Sequence, residues 1–131
     1  MSDERVRLGR FGERLAVAHL ESKGYAVLDR NFRCREGEID IIAQNDGCLV
    51  FVEVRTRRGD AMGTAVESVT PRKCARLVAA AEAYCQQHPQ AAPDRRIDVI
   101  AVELTPGGRL MRLEHIENAV SADELPALPR R

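Results

Sequence analysis

The sequence predicts a single α/β domain in which a central mixed β-sheet is flanked by helices, in the order α-β-β-β-α-β-β. Two observations lead to this prediction. Alternating apolar residues on both sides of Asp46-Gly47 are typical of a β-hairpin. A helical pattern that begins at Thr70-Pro71 precedes a buried apolar strand, so this helix should cross between two parallel strands. We expect the domain to span residues 1–120, with a poorly ordered tail over residues 121–131.

The composition fits a soluble globular protein: 131 residues, of which 44% are hydrophobic and 31% are charged. No apolar run approaches the roughly 18 residues of a membrane span, and the N-terminus lacks a signal-like segment. We therefore expect a cytoplasmic protein without a membrane partner. The four cysteines form no Cys-x-x-Cys pair, which argues against structural zinc. The net charge of zero argues against a general nucleic-acid coat protein.

The first helix is predicted from Asp3 to Lys23, and Gly24 ends it. Its core stripe comprises Leu8, Phe11, Leu15 and Ala18. Glu13 lies on a partly apolar flank, where an acid needs a partner. The sequence leaves two partners open, a neighbouring arginine or a metal site. Gly9 and Gly12 lower helix propensity, which favours a close approach by another backbone segment.

The hairpin follows a short strand, Tyr25 to Leu28, and a basic connection from Asn31 to Glu36. Asp46-Gly47 predicts a type I′ turn, because that turn needs positive φ at both central residues. With this turn, the residue numbers of each pair of facing residues add up to 93. The predicted apolar face comprises Ile39, Ile41, Val50, Val52 and Val54.

The other face of the hairpin places two acids opposite each other, Asp40 and Glu53, with Glu38 opposite Arg55. Facing carboxylates repel, at about 0.2–1 kcal/mol for an exposed pair. A divalent cation between them would convert this repulsion into binding energy. The alternative is a solvated polar face on which the charges meet without a ligand.

The hairpin is followed by a predicted loop from Thr56 to Thr70, which is long for a compact domain and suggests a mobile functional segment. Thr70 is the expected N-cap of the second helix, and Pro71 is its first residue. This helix should end near His88-Pro89. Its predicted buried stripe comprises Cys74, Leu77, Val78, Ala81 and Cys85. Lys73 lies in the first turn, where backbone N–H groups favour an anion.

A buried strand is predicted from Arg96 to Leu104, and Asp98 within it must be paired by Arg or Lys. A short final strand, Arg109 to Leu113, and one helical turn, His115 to Ala119, complete the predicted elements. Three basic clusters surround the hairpin: Arg30, Arg33 and Arg35; Arg55, Arg57 and Arg58; and Arg72, Lys73 and Arg76. Each can be a solvated surface, but together they suggest a rim that binds phosphate.

Several motifs give the chain a resemblance to the YraN-like family of small bacterial proteins. They are Gly9-Arg10-Phe11-Gly12-Glu13, Gly37-Glu38-Ile39-Asp40, Phe51-Val52-Glu53-Val54-Arg55-Thr56-Arg57, Val69-Thr70-Pro71-Arg72-Lys73, Arg96-Ile97-Asp98-Val99 and His115-Ile116-Glu117-Asn118-Ala119. The order Asp40, hairpin turn, Glu53-Val54-Arg55 also resembles the PD-(D/E)xK nuclease superfamily. That resemblance implies a restriction-endonuclease-like core.

The superfamily resemblance further implies a site for Mg²⁺ or Mn²⁺ held by Asp40 and Glu53. The carbonyl of Val54 and a water-mediated Glu13 or Glu38 would complete it. Arg55 occupies the position where the superfamily usually has lysine, and arginine cannot act as a base. Three alternatives follow: the metal alone activates water, Lys73 takes the vacant role, or the domain has lost catalysis. The expected phosphate contacts are Arg57, Arg58, Arg72 and Lys73.

The implied partner is a nucleic acid, DNA in preference to RNA, including branched or structured forms, and a homodimer is left open. With three Phe, two Tyr and no Trp, base stacking is not expected to dominate binding. Two other functions stay open. One is a module that binds DNA or RNA without cleaving it. The other is a protein-interaction domain in which the acidic cluster is a relic.

Overall fold

The computed structural model describes residues 2–59 and 69–120. Its helices and strands, in chain order, are α1 Ser2–Ser22, β1 Ala26–Cys34, β2 Gly37–Asn45, β3 Cys48–Arg58, α2 Pro71–Gln87, β4 Asp94–Leu104 and β5 Leu110–Val120. This order confirms the predicted α/β arrangement of two helices and five strands.

The five strands form one sheet in the order β1-β2-β3-β4-β5. Strands β3 and β4 are parallel, as a crossing helix requires, and the other three pairs are antiparallel. The predicted mixed sheet is therefore confirmed. Within residues 2–59 and 69–120, neither helix is long and apolar enough to cross a membrane.

The hairpin turn has the predicted conformation, because Asp46 and Gly47 both have positive φ, at 52° and 74°. Asn45 pairs with Cys48, and the register continues to Ile41 opposite Val52. The predicted hairpin register is thus confirmed from the turn as far as the Ile41–Val52 pair.

Each face of the sheet is covered by one helix. The cluster on the α1 side includes Ala16, Leu20, Ile41, Val52 and Ile100. The cluster on the α2 side includes Ile42, Phe51, Leu77, Ala80 and Tyr84, with Cys74, Val78 and Cys85 partly buried against it. The predicted α2 stripe is thus largely confirmed, and Ala80 and Tyr84 also belong to it.

One predicted face of the hairpin is wrong, because Ile39 does not share a face with Ile41. Ile39 lies in the α2-side cluster and Ile41 in the α1-side cluster, so the alternation breaks at Asp40. The neighbouring strand is irregular at the same level, where Asn31 has φ 56°. A left-handed residue interrupts the regular geometry of a strand, and Asn31 lies between the residues that pair with Ile41 and Ile39, directly beside the break at Asp40.

Three predicted boundaries are also wrong. Residues 31–34 were expected to begin a connection, but they belong to strand β1, which pairs with β2 along nearly its whole length. Strand β3 continues through Arg58, past the predicted loop start at Thr56. The helical turn predicted from His115 is part of β5, which pairs with β4. Residues 60–68 of the predicted loop, and the tail 121–131, lie outside the described residues.

Candidate active site

The candidate site lies where β2 and β3 separate. Their backbone pairing ends at Ile41 and Val52, while β3 remains paired with β4 as far as Arg58. Beyond that point a side chain replaces the missing backbone partner, because the Val54 N–H donates to Asp40 Oδ2 over 2.8 Å. The predicted ladder pairs Asp40–Glu53 and Glu38–Arg55 are therefore not formed by the backbone.

The carboxyl groups of Asp40 and Glu53 nevertheless meet, and they share a hydrogen bond. Burial, and then the negative charge of Glu53, raise the pKa of Asp40 to about 7. Burial also raises the pKa of Glu53, although the positive charges of Arg55 and Lys73 oppose this rise. Two acids in such contact cannot both ionise easily, so the pair holds a proton more tightly than two separate carboxyl groups would.

The cationic side of the pair is formed by Arg55 and Lys73. The Arg55 guanidinium donates to Glu53 Oε2 over 3.3 Å. The side chains of Glu53 and Arg55 are only partly accessible to solvent, with 12% and 25% of their surface exposed. Lys73 follows the N-cap Thr70, whose hydroxyl accepts a hydrogen bond from the Lys73 backbone N–H over 3.3 Å. The predicted start of α2 is thereby confirmed.

An open cavity of about 620 Å³ surrounds this pair. Its charged lining residues are Arg5, Glu13, Glu38, Asp40, Glu53, Arg55, Arg57, Lys73 and Arg76. Carboxylates and cations are thus brought together from both helices and from two strands. Phosphate and a divalent cation both suit such a mixed lining.

Of these lining residues, Arg5 was not assigned to the site from the sequence, and Arg76 was assigned only to a basic cluster of the phosphate-binding rim. Arg76 is three residues beyond Lys73, so both lie on one face of α2. Arg5 and Gly9 precede Glu13 at intervals of four residues and share its face of α1. Helical spacing from the predicted residues could therefore have identified both arginines.

Glu13 lines the cavity. Burial, and then the negative charge of Asp40, raise its pKa, whereas Arg30 and a hydrogen bond from Asn31 lower it. Glu13 is therefore close enough to the Asp40–Glu53 pair to interact with it electrostatically. Glu38 also lines the cavity, but its carboxylate pairs with Arg33 Nε on β1 over 3.0 Å.

The four predicted phosphate contacts are not all in one place. Lys73 and Arg57 line the cavity. Arg57 Nε is buried and has no hydrogen-bond partner among the described residues. Arg58 points elsewhere, since it donates to the Pro106 carbonyl over 3.0 Å and pairs with Glu4. Arg72 is exposed on α2 and is not among the described residues that line the cavity.

The donor set is compatible with a hard divalent cation. Mg²⁺ typically keeps several waters and uses one or two carboxylates from the protein, and Asp40 and Glu53 supply two. Within residues 2–59 and 69–120, no group of three or more His, Cys, Asp or Glu side chains is assembled as a metal site. Additional ligands would therefore have to be water, a backbone carbonyl, or a rearranged Glu13 or Glu38.

A second acidic centre lies on the α1 side of the sheet, at Asp98. This side chain is fully buried and accepts hydrogen bonds from Arg96 Nε at 3.0 Å, His115 Nε2 at 2.8 Å and the Asn118 N–H at 2.8 Å. Burial alone would raise the pKa of Asp98, but these hydrogen bonds outweigh it, and the pKa lies below its usual value. The predicted pairing of Asp98 with an arginine is confirmed, and His115 is an additional partner.

Known proteins resemble this chain over most of its length. Residues 12–102 match the model of the uncharacterised protein family UPF0102, also called the YraN family. A UPF0102 protein of Roseiflexus castenholzii is 49% identical over 122 residues, which cover 92% of this chain and 98% of the relative. One of Pelotomaculum thermopropionicum is 47% identical over 119 residues, with coverages of 91% and 99%. With matches of this extent, the chain belongs to the UPF0102 family.

Proposed function

We propose that this protein hydrolyses phosphodiester bonds in nucleic acids with the help of Mg²⁺ or Mn²⁺. The observation that supports this function is the contact between Asp40 and Glu53 inside a cavity lined by cations. Folding alone gives no reason to hold two acids together, since their repulsion lowers the stability of the protein. A divalent cation would remove that repulsion.

Asp40 and Glu53 would hold the metal ion, with Glu13 or Glu38 acting through water. A metal ion in this position supplies Lewis acidity, which lowers the pKa of a bound water and offsets charge on the scissile phosphate. The Val54 N–H orients Asp40 by donating to one of its carboxylate oxygens, and a metal ion would take the place of the proton that Asp40 shares with Glu53. The backbone of β3 thus fixes the direction of the ligand.

The cations around the pair would bind and position the substrate. Arg55 is held by Glu53 and can still clamp a phosphate oxygen, although its guanidinium cannot release a proton. Lys73, at the first turn of α2, would stabilise the charge that develops on the phosphate. Arg57 also lines the cavity, so its guanidinium would supply a further cation for the phosphate backbone.

The substrate would be recognised through its backbone. The described residues that line the cavity include no aromatic side chain, so base stacking does not contribute there. We propose DNA, including branched or structured forms, as the first substrate to test. Recognition by charge predicts little sequence preference.

A second candidate is a module that binds nucleic acid without cleaving it. The ion pair between Arg55 and Glu53 favours this alternative, because the guanidinium neutralises one proposed metal ligand. Metal binding distinguishes hydrolysis from binding without cleavage, because only hydrolysis requires the metal ion. A protein-interaction domain would show neither metal binding nor salt-dependent binding to nucleic acid.

The first experiment measures the melting temperature with and without Mn²⁺. The ion should raise the melting temperature of the wild type by mass action, and Asp40→Asn with Glu53→Gln should abolish the rise. Asp29→Asn with Glu103→Gln is the matched control. It also removes one Asp and one Glu carboxylate from the sheet, but neither residue lines the cavity. A similar rise in the Asp40/Glu53 double variant would contradict the proposed metal site.

The second experiment incubates the protein with branched, flapped and single-stranded DNA and RNA, in Mn²⁺ or in EDTA. Cleavage that requires Mn²⁺ and is lost in the same double variant supports hydrolysis. Salt-dependent binding without cleavage supports the non-catalytic module. Undetectable binding of every form at low salt would favour the protein-interaction domain.

A further inference from the structure

Helix α1 is not equally close to the sheet along its length. Three buried residues, Gly12, Ala16 and Leu20, follow one another at intervals of four and face the sheet. Their side chains increase in size from none to a methyl group to an isobutyl group. Because side chains separate a helix from the sheet beneath it, α1 should come nearest to the sheet at Gly12.

At Gly12 the helix touches β3 without room for a side chain. A Cβ atom there would lie 2.0 Å from Thr56 Oγ1, 3.2 Å from Thr56 Cβ and 3.3 Å from Thr56 Cγ2. Such an overlap cannot be accommodated unless the helix or Thr56 moves. At Gly9, one turn earlier, an added Cβ would meet no atom within 4 Å. The close approach is therefore specific to Gly12.

This contact lies beside the charged groups of the candidate site. Glu13 follows Gly12 on the helix, and Thr56 follows Arg55 on β3. Glu13 also accepts a hydrogen bond from the side chain of Asn31 on β1 and interacts with Asp40. Its carboxylate is thus fixed by the position of the helix on one side and by Asn31 on the other.

We propose that Gly12 and Thr56 are positioning residues that hold Glu13 against the Asp40–Glu53 pair. The role given to Glu13 as a ligand rests on the proposed function, whereas its placement by the contact does not. A contact that only packed the helix would affect stability but not the position or chemistry of Glu13.

The central variant is Gly12→Ala, studied in the full-length protein. The added methyl group should displace α1 from Thr56 and move Glu13. We expect Mn²⁺ affinity, measured by calorimetry, to fall by roughly 10- to 100-fold, as for other residues that orient metal ligands. The side-chain amide resonance of Asn31 should shift toward its position in Glu13→Ala, where the hydrogen bond is absent. Wild-type values of both measurements in Gly12→Ala would overturn the proposal.

A size exchange tests whether Thr56 is the constraint. Adding Thr56→Ala to Gly12→Ala removes Oγ1 and Cγ2, and leaves the two Cβ atoms only a few tenths of an ångström too close, at 3.2 Å. The double variant should recover at least part of the wild-type Mn²⁺ affinity. Its Asn31 amide resonance should return toward the wild-type position. If Gly12→Ala does not fold, the double variant is compared with Thr56→Ala alone. The Mn²⁺ affinities of these two variants should agree within about threefold. A double variant that binds Mn²⁺ as weakly as a folded Gly12→Ala, or more than tenfold more weakly than Thr56→Ala, would overturn the proposal.

Two further comparisons separate this proposal from the proposed function. If the wild type binds no Mn²⁺, the metal site fails, but the Asn31 resonance still tests whether the contact places Glu13. Gly9→Ala controls for helix propensity through the melting temperature alone. It should raise the melting temperature by up to about 4 °C, because alanine favours helix and meets no neighbour. Destabilisation by Gly12→Ala against stabilisation by Gly9→Ala shows that the close contact is the cause.

Discussion

Asp98 and Asp40 are both acids of the central sheet removed from bulk water, but their neighbours differ. Asp98 is surrounded by donors, from Arg96, His115 and a backbone N–H, and its pKa is lowered. Asp40 has one backbone donor and shares a hydrogen bond with a second acid, and its pKa is raised. The first arrangement satisfies a buried charge within the protein, whereas the second leaves charge to be balanced by a ligand. The surroundings of each acid therefore separate a structural acid, Asp98, from a candidate functional one, Asp40.

The largest expected effect is the loss of stability in Asp98→Asn. The amide would place a donor against groups that already donate, so Arg96 and His115 would lose a charged acceptor. We expect a decrease of about 3–5 kcal/mol in the free energy of unfolding, measured in urea at pH 7 without metal. Asp40→Asn is the comparison, and it should be neutral or stabilising. Equal losses in both variants would remove the distinction between the two acids.

The next effect concerns the cations of the cavity and applies if cleavage is measurable. Lys73→Met should reduce the metal-dependent rate roughly 30- to 1,000-fold, or about 2–4 kcal/mol, because it removes a cation from the developing charge. Mn²⁺ binding should be retained. Arg55→Lys should keep activity or raise it. An unchanged rate in Lys73→Met would transfer the role to Arg55.

The two acids should also affect stability in opposite directions with pH. The raised pKa of Asp40 means that the folded state binds a proton more tightly than the unfolded state, so stability falls as pH rises from about 4 to about 7. We expect a fall on the order of 2 kcal/mol in metal-free buffer. Asp40→Asn should remove this fall, and saturating Mn²⁺ should reduce it. Urea unfolding at several pH values measures both effects.

Asp98 provides the control for that experiment. Its lowered pKa stabilises the fold above the normal carboxylate range, and this contribution disappears as pH falls through the folded pKa. Asp98→Asn should therefore flatten the acidic end of the stability curve and leave the region near pH 7 unchanged. If Asp40→Asn flattened only the acidic end, the proton would not reside on the Asp40–Glu53 pair.

The smallest effect is expected at individual arginines. If nucleic acid binds in the cavity, Arg57→Gln should reduce the slope of log K against log salt by about 0.7–0.9, the change for one phosphate contact. Arg58→Gln is the matched variant and should change the slope less, because Arg58 is paired with Glu4 and Pro106. Arg72→Gln should resemble Arg58→Gln. Equal slopes in Arg57→Gln and the wild type would place the nucleic acid elsewhere.

Local sequence patterns predicted the parts of the fold that depend on local chemistry. The Asp46-Gly47 turn determines the hairpin register, and Thr70-Pro71 determines the start of α2, so both were predictable. The strand at His115 was mistaken for a helical turn because its conformation depends on pairing with β4 and on the distant Asp98.

The candidate site was predicted to a similar extent. Asp40, Glu53 and Glu13 were identified, since their charges are unusual for their positions in the strands and the helix. The separation of β2 and β3 was not predicted, because no residue of the hairpin signals that its backbone pairing ends at Ile41 and Val52. Arg5 was not assigned to the site, although its spacing of eight residues from Glu13 places it on the same face of α1.

The hairpin turn has a consequence for the evolution of this chain. Surface turns usually tolerate insertions and deletions, because they are exposed and contact little else. In this turn, one added residue without a compensating bulge would shift β3 relative to β2 and bring an apolar neighbour of Glu53 to the level of Asp40. The acid pair would be lost although every residue of the site was still encoded. A turn six residues away from Asp40 is therefore subject to the same length constraint as the site itself.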